Sequence, residues 1–145
     1  MRKKVIKNMN KIIAIYGDSA AGKTTVCNMI YDELVKQGAR VSIPKKQAGT
    51  GKRDFTSVLL YKNKKVAINS MGDIKKHVDD CVQAFSNCDI LITAYNNSFS
   101  NIGSTWLDNA DEILIVRKSP AANASPAAQL ASNTATMNQV LALLP

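Results

Sequence analysis

No hydrophobic run in this 145-residue chain approaches the roughly 20 residues that a membrane-spanning helix needs, so no membrane partner is expected. Cysteine is scarce. Cys27, Cys81 and Cys88 form an odd, widely spaced set, which excludes a dense disulfide framework and fits reduced thiols in a cytoplasmic setting. Histidine occurs once, as His77, and its spacing to Cys81 and Cys88 matches no zinc pattern. Arginine is confined to Arg2, Arg40, Arg53 and Arg117, too few for an arginine-rich lid. There is no internal repeat and no linker long enough to divide the chain. A single domain over residues 1–145 is therefore expected, with residues 1–10 as a basic N-terminal extension. The apolar run behind that extension is too short to read as a signal peptide.

Lysine, by contrast, is abundant, and the net charge is +8. Lys62, Lys64 and Lys65 cluster where a hairpin turn is expected and read as a solvated surface. Lys45, Lys46, Lys52 and Arg53 form a second cluster with three open readings. It is a nucleic-acid footprint, a field that gathers polyphosphate and an anionic second substrate, or a solubilising surface.

Residues 17–24 read Gly-Asp-Ser-Ala-Ala-Gly-Lys-Thr and satisfy the phosphate-loop pattern G-x-x-x-x-G-K-[ST]. The flanks agree with it. Ile12-Ile13-Ala14-Ile15-Tyr16 reads as a buried strand, and Val26, Ile30 and Leu34 recur at helical spacing until Gly38. Such a loop converges backbone N–H donors on phosphate oxygens at the positive end of a helix. Gly17, Asp18, Ser19, Ala20, Ala21, Gly22, Lys23, Thr24 and Thr25 are the expected nucleotide-binding residues. Lys23 supplies a cation to the β- and γ-phosphates, and Thr24 a hydroxyl to Mg²⁺. The ligands expected are thus ATP, or another nucleoside triphosphate, and Mg²⁺.

Further along, residues 39–43 read as a short strand stopped by Pro44, and residues 44–54 as a polar basic loop. Residues 55–61 and 65–70 form a hairpin, and Ile74, Val78, Cys81 and Phe85 one helical stripe. Residues 89–94 and 112–117 are strands, separated by a short helix that Trp106 anchors. Ser125 and Pro126 open a last helix, whose expected packing stripe is Leu130, Thr134, Met137, Leu141 and Leu144. This alternation predicts an α/β three-layer sandwich. Its sheet is mostly parallel, with about five strands plus one antiparallel hairpin strand, and helices lie on both faces. Function is expected at the carboxyl ends of the strands.

Among residues expected at that rim, Asp73 is either a metal-side acid acting with Thr24 or the cap of the next helix. Gly72 either donates its N–H to a phosphate or serves the turn. Asp54 is a base, a metal partner, or a charge partner of Lys52 and Arg53. Arg117, at a strand end, is the best-placed cation for transition-state charge, and Lys23, Asp73 and Arg117 form the expected catalytic set.

The run Gly17-Asp18-Ser19-Ala20-Ala21-Gly22-Lys23-Thr24-Thr25 resembles the phosphate loops of P-loop kinases that act on small metabolites, the uridine kinase and phosphoribulokinase group. The resemblance implies a P-loop NTPase fold and transfer of the γ-phosphoryl of ATP to a small anionic or nucleotide acceptor. The element order also looks like that of the small GTPases. Their two aspartate-bearing motifs are replaced here by Asn69-Ser70-Met71-Gly72 and Arg117-Lys118-Ser119-Pro120. Loss of the second aspartate removes the carboxylate that reads guanine, which favours adenine. The alternatives to a kinase are a nucleotide-dependent ATPase or GTPase-like switch acting on a partner, and a nucleic-acid-binding domain.

Overall fold

Strand and helix periodicities govern the computed structural model, which describes residues 9–17, 22–49, 53–99, 104–118 and 121–145. The elements in chain order are β1 (Met9–Gly17), α1 (Lys23–Lys36), β2 (Arg40–Gln47), β3 (Phe55–Tyr61) and β4 (Lys64–Asn69). They continue with α2 (Lys75–Ala84), β5 (Ile90–Asn96), α3 (Ser104–Asn109), β6 (Ala110–Arg117) and α4 (Pro126–Leu141). One six-stranded sheet runs in the order β2-β3-β4-β5-β1-β6.

Central β1 shows why an unbroken apolar run makes a buried strand. Successive side chains alternate between faces, so both faces must be apolar when both are covered. Ile13 and Ile15 join Val26, Ile30 and Leu34 of α1 and Val140 of α4 in one core. Ile12 and Ala14 join Val78 and Val82 of α2 and Trp106 of α3 in the other. Each of the three isoleucines is fully buried, and full burial contributes about 1.5–3 kcal/mol per side chain relative to exposure. Trp106 anchors α3 by packing its ring 4.9 Å from that of Tyr95, tilted by 59°, and by donating its indole N–H to Asp79 at 3.0 Å.

The expected P-loop three-layer sandwich is corrected by the sheet. The sheet is mixed, because β3 runs antiparallel to both β2 and β4. Only β4-β5, β5-β1 and β1-β6 pair in parallel. Two local causes produce the antiparallel half. Lys62 and Asn63 adopt positive φ angles of 48° and 65°, the two-residue hairpin turn that suits strand twist. After Gly38, β2 then folds onto the outside of β3 as an edge strand. All eight of its residues are exposed, so the helical cover stops short of it.

One strand boundary and two helix packing faces also differ from expectation. Pro44 does not stop β2; the strand continues to Gln47 through register shifts between Val41 and Lys46. An edge strand with bulges tolerates a residue that lacks an N–H. Ile74 drops out of the α2 stripe, 51% exposed at the helix start, while Val78, Cys81 and Val82 are buried. In α4, Leu130 is 60% exposed and drops out of the expected stripe, Met137, Leu141 and Leu144 do pack against the core, and Thr136 and Val140 are buried beside them. Ser125 does cap α4, accepting from the Ala128 N–H at 3.1 Å, with Pro126 at the first position. Among the described residues no helix is long and apolar enough to cross a membrane.

Candidate functional site

β1, β2, β4, β5 and β6 all point the same way, so Gly17, Gln47, Asn69, Asn96 and Arg117 end at one edge of the sheet. Antiparallel β3 begins at that edge, just after Asp54. The first turn of α1 rises from the same place.

Asp18, Ser19, Ala20 and Ala21 lie outside the described residues, as does Lys52. On either side of them the path is defined. Gly17 closes β1, and Gly22 caps α1 in the left-handed region at φ 90°, its carbonyl accepting from the Val26 N–H at 3.0 Å. A Cβ at Gly22 would also come within 3.0 Å of Asn133 Oδ1 on α4. Glycine there follows from both backbone conformation and space.

Lys23 is buried and reaches back to the end of β1. Its Nζ donates to the Gly17 carbonyl at 3.0 Å and lies 3.6 Å from Asp73 Oδ1. Thr24 turns the other way, and its hydroxyl donates to Asp54 Oδ1 at 2.8 Å. The same oxygen accepts from the Ser70 hydroxyl at 3.2 Å. Ser70 is itself held by the start of β3, its Oγ accepting from the Phe55 N–H at 2.8 Å and its N–H donating to the Phe55 carbonyl at 3.0 Å. A carboxylate is thus fixed between the first turn of α1 and the end of β4. Thr25 accepts from the Arg53 guanidinium at 3.4 Å.

Asp73 stands with Lys23 and Asn96, accepting from Asn96 Nδ2 at 3.0 Å. It does not cap α2; Ile74 occupies the cap position, and no side chain caps that helix. Asp73 is therefore brought to Lys23, whereas the acid hydrogen-bonded to Thr24 is Asp54. Arg117 stacks its guanidinium over the Tyr16 ring, 5.4 Å from the centroid, at the neighbouring strand end. Next to it, buried Lys118 donates from Nζ to Ser132 at 2.6 Å, and burial pushes its ammonium below the ordinary lysine value.

Several rim residues have structural work that their positions explain. Gly72 packs against β5 so closely that a Cβ would lie 2.4 Å from the Ala94 carbonyl carbon. Its carbonyl accepts from the Asn96 N–H at 3.0 Å. Asn69, at the place where the small GTPases carry their first aspartate, is fully buried. It donates to Thr93 and to the Met71 carbonyl, both at 3.0 Å. His77 lies 3.0 Å from Asn69 Oδ1 and 3.5 Å from Cys81 Sγ. Burial pushes the Cys81 thiol up to about 12, far from a thiolate ligand. Among the described residues no group of three or more histidine, cysteine or acidic side chains is placed to hold a metal.

Mg²⁺ bound through phosphates does not need such a cage. It keeps most of its waters and takes only one or two protein oxygens. The Thr24 hydroxyl and the Asp54 carboxylate are hard oxygen donors of that kind, and the donor set fits.

Asp54 and Ser70 are the residues that reading the chain in order underweights. The hairpin held the signal, because an antiparallel first arm must start at the rim. The acid just before it is then delivered to α1. No family model, curated protein or solved structure matches the chain.

Proposed function

We propose that residues 17–25 bind the phosphates of a nucleoside triphosphate, ATP in preference, with Mg²⁺. We further propose that the rim transfers the γ-phosphoryl to a small acceptor. The observation that carries the reading is the Thr24–Asp54 pair at 2.8 Å, set beside buried Lys23 where α1 begins. A phosphate-loop sequence alone does not require a carboxylate there, whereas a Mg²⁺–phosphate site uses one.

Phosphoryl transfer asks a protein mainly for position and electrostatic complementarity. Lys23 supplies positive charge at the phosphates, and the N–H groups opening α1 supply aligned donors. Mg²⁺, when bound, neutralises charge on the phosphate oxygens. Asp73, 3.6 Å from Lys23 Nζ, holds that ammonium in line, and Asn96 holds Asp73. In the reaction the acceptor hydroxyl oxygen bonds to the γ-phosphorus, and the bond from that phosphorus to its bridging oxygen breaks. Its electron pair leaves on the nucleoside diphosphate, and the hydroxyl proton goes to solvent.

The test is nucleoside diphosphate release from ATP–Mg²⁺, measured with and without a pool of nucleosides, nucleotides and phosphorylated metabolites. Release that rises at least tenfold with one acceptor, and disappears in Lys23→Ala, is the expected result. Turnover indifferent to every acceptor would replace transfer by hydrolysis, and no turnover at all would remove the catalytic claim.

A further inference from the structure

A pocket of about 410 Å³ opens beside Asp54, lined by Asn28, Lys45, Lys46, Gln47, Arg53, Asp54 and Phe55. Its size is that of a small-ligand site. Three cations and one carboxylate line it, a local excess of positive charge in a concave wall.

The cations are not a random lysine surface. Lys45 folds back from edge strand β2, its ammonium 4.3 Å from the Tyr31 ring centroid and 4.6 Å from that of Phe55. It also donates to Asn28 Oδ1 at 2.9 Å, and Asn28 in turn donates to the Thr24 carbonyl at 3.0 Å. The bulges around Pro44 bend β2 so that this stretch comes over α1. Arg53, with its fork for phosphate oxygens, is tethered to Thr25. Each tether leads to the first turn of α1, next to the triphosphate site. Lys45 lies over the Tyr31 and Phe55 rings, so at this pocket a stacked base would have to displace it.

We propose that this pocket binds a small phosphomonoester as the second substrate, its phosphate held by Lys45, Lys46 and Arg53 and its hydroxyl end toward Asp54. The role as phosphoryl acceptor rests on the triphosphate reading above; the affinity for the phosphomonoester does not.

Titration of the ¹⁵N-labelled full chain with glycerol 3-phosphate, followed by NMR, tests it, with glycerol as the uncharged control. Saturable shifts at the Asn28 amide group and Arg53 guanidinium are expected for the phosphomonoester and not for glycerol. Lys45→Gln and Arg53→Gln each weaken binding by roughly tenfold, while Lys23→Ala leaves it within about twofold. Loss in Lys23→Ala without loss in Lys45→Gln or Arg53→Gln would put the phosphate in the 17–25 loop and overturn the pocket. Absence of a saturable shift would overturn it equally. A single-stranded tetranucleotide binding more than tenfold tighter than glycerol 3-phosphate would replace the small ligand by nucleic acid. Saturable binding together with complete indifference to ATP would leave the pocket standing and remove only its role as acceptor site.

Discussion

Asp54 Oδ1 accepts hydrogen bonds from two hydroxyls, Thr24 on α1 and Ser70 beyond β4, and so joins the helix to the sheet edge. Asparagine keeps an oxygen able to accept both bonds but removes the charge. Asp54→Asn is therefore expected to leave thermal stability nearly unchanged while weakening Mg²⁺-dependent ATP binding by roughly ten- to a hundredfold. Thermal melts read the first arm and calorimetric titration with and without Mg²⁺ the second, and equal affinity in the variant would show that Asp54 holds no metal. Below this pair lies Cys27, whose thiol burial, with the nearby Asp54 charge, pushes up to about 12 from an ordinary 9.0. Between those values the unfolded chain releases the thiol proton and the folded chain keeps it. The folded state then binds more protons, so its stability, fully present below pH 9.0, falls as the pH rises toward 12. Denaturant melts from pH 8 to 11 should show a decline that is shallower in Cys27→Ala; an identical slope would mean the thiol titrates normally.

At the scale of elements, the close approach of the Ser70–Asp73 turn to β5 sets the geometry of the rim. An alanine at position 72 would put its Cβ 2.4 Å from backbone that cannot move without breaking the sheet. Gly72→Ala is expected to destabilise by about 3 kcal/mol or more, read from chemical denaturation. A loss under about 0.5 kcal/mol would show that the turn is free to shift. Much of this level was legible in the sequence. The apolar run of β1, the periodicity of α1, the two arms around Lys62-Asn63 and the Ser125-Pro126 start of α4 are local signals, and they correspond to the observed elements. Less legible were features set by distant partners. β2 runs through Pro44 because β3 supports it as an edge. Asp54 meets Thr24 across 30 residues, a contact that no local spacing encodes. Asp73 sits where a helix cap would be expected, but it is drawn to Lys23 and Asn96 instead.

For the whole molecule, the mixed sheet divides the work. The parallel half β4-β5-β1-β6 carries the strand ends and Gly17, where the 17–25 run begins, while the antiparallel half brings Asp54 and the basic pocket to its flank. The net charge of +8 adds a field favouring anions at that rim. The central claim is that ATP–Mg²⁺ binds where Lys23 and Thr24 open α1. A ligand that binds only the folded state stabilises it by about 2.7 kcal/mol at a hundredfold its Kd. For a chain of this size that corresponds to a Tm rise of roughly 5–10 °C. Thermal unfolding with ATP, GTP and their diphosphates, with and without Mg²⁺, should show that rise for ATP–Mg²⁺ and none for Lys23→Ala against its own ligand-free baseline. No shift with any nucleotide, or the same shift in Lys23→Ala, would contradict the account.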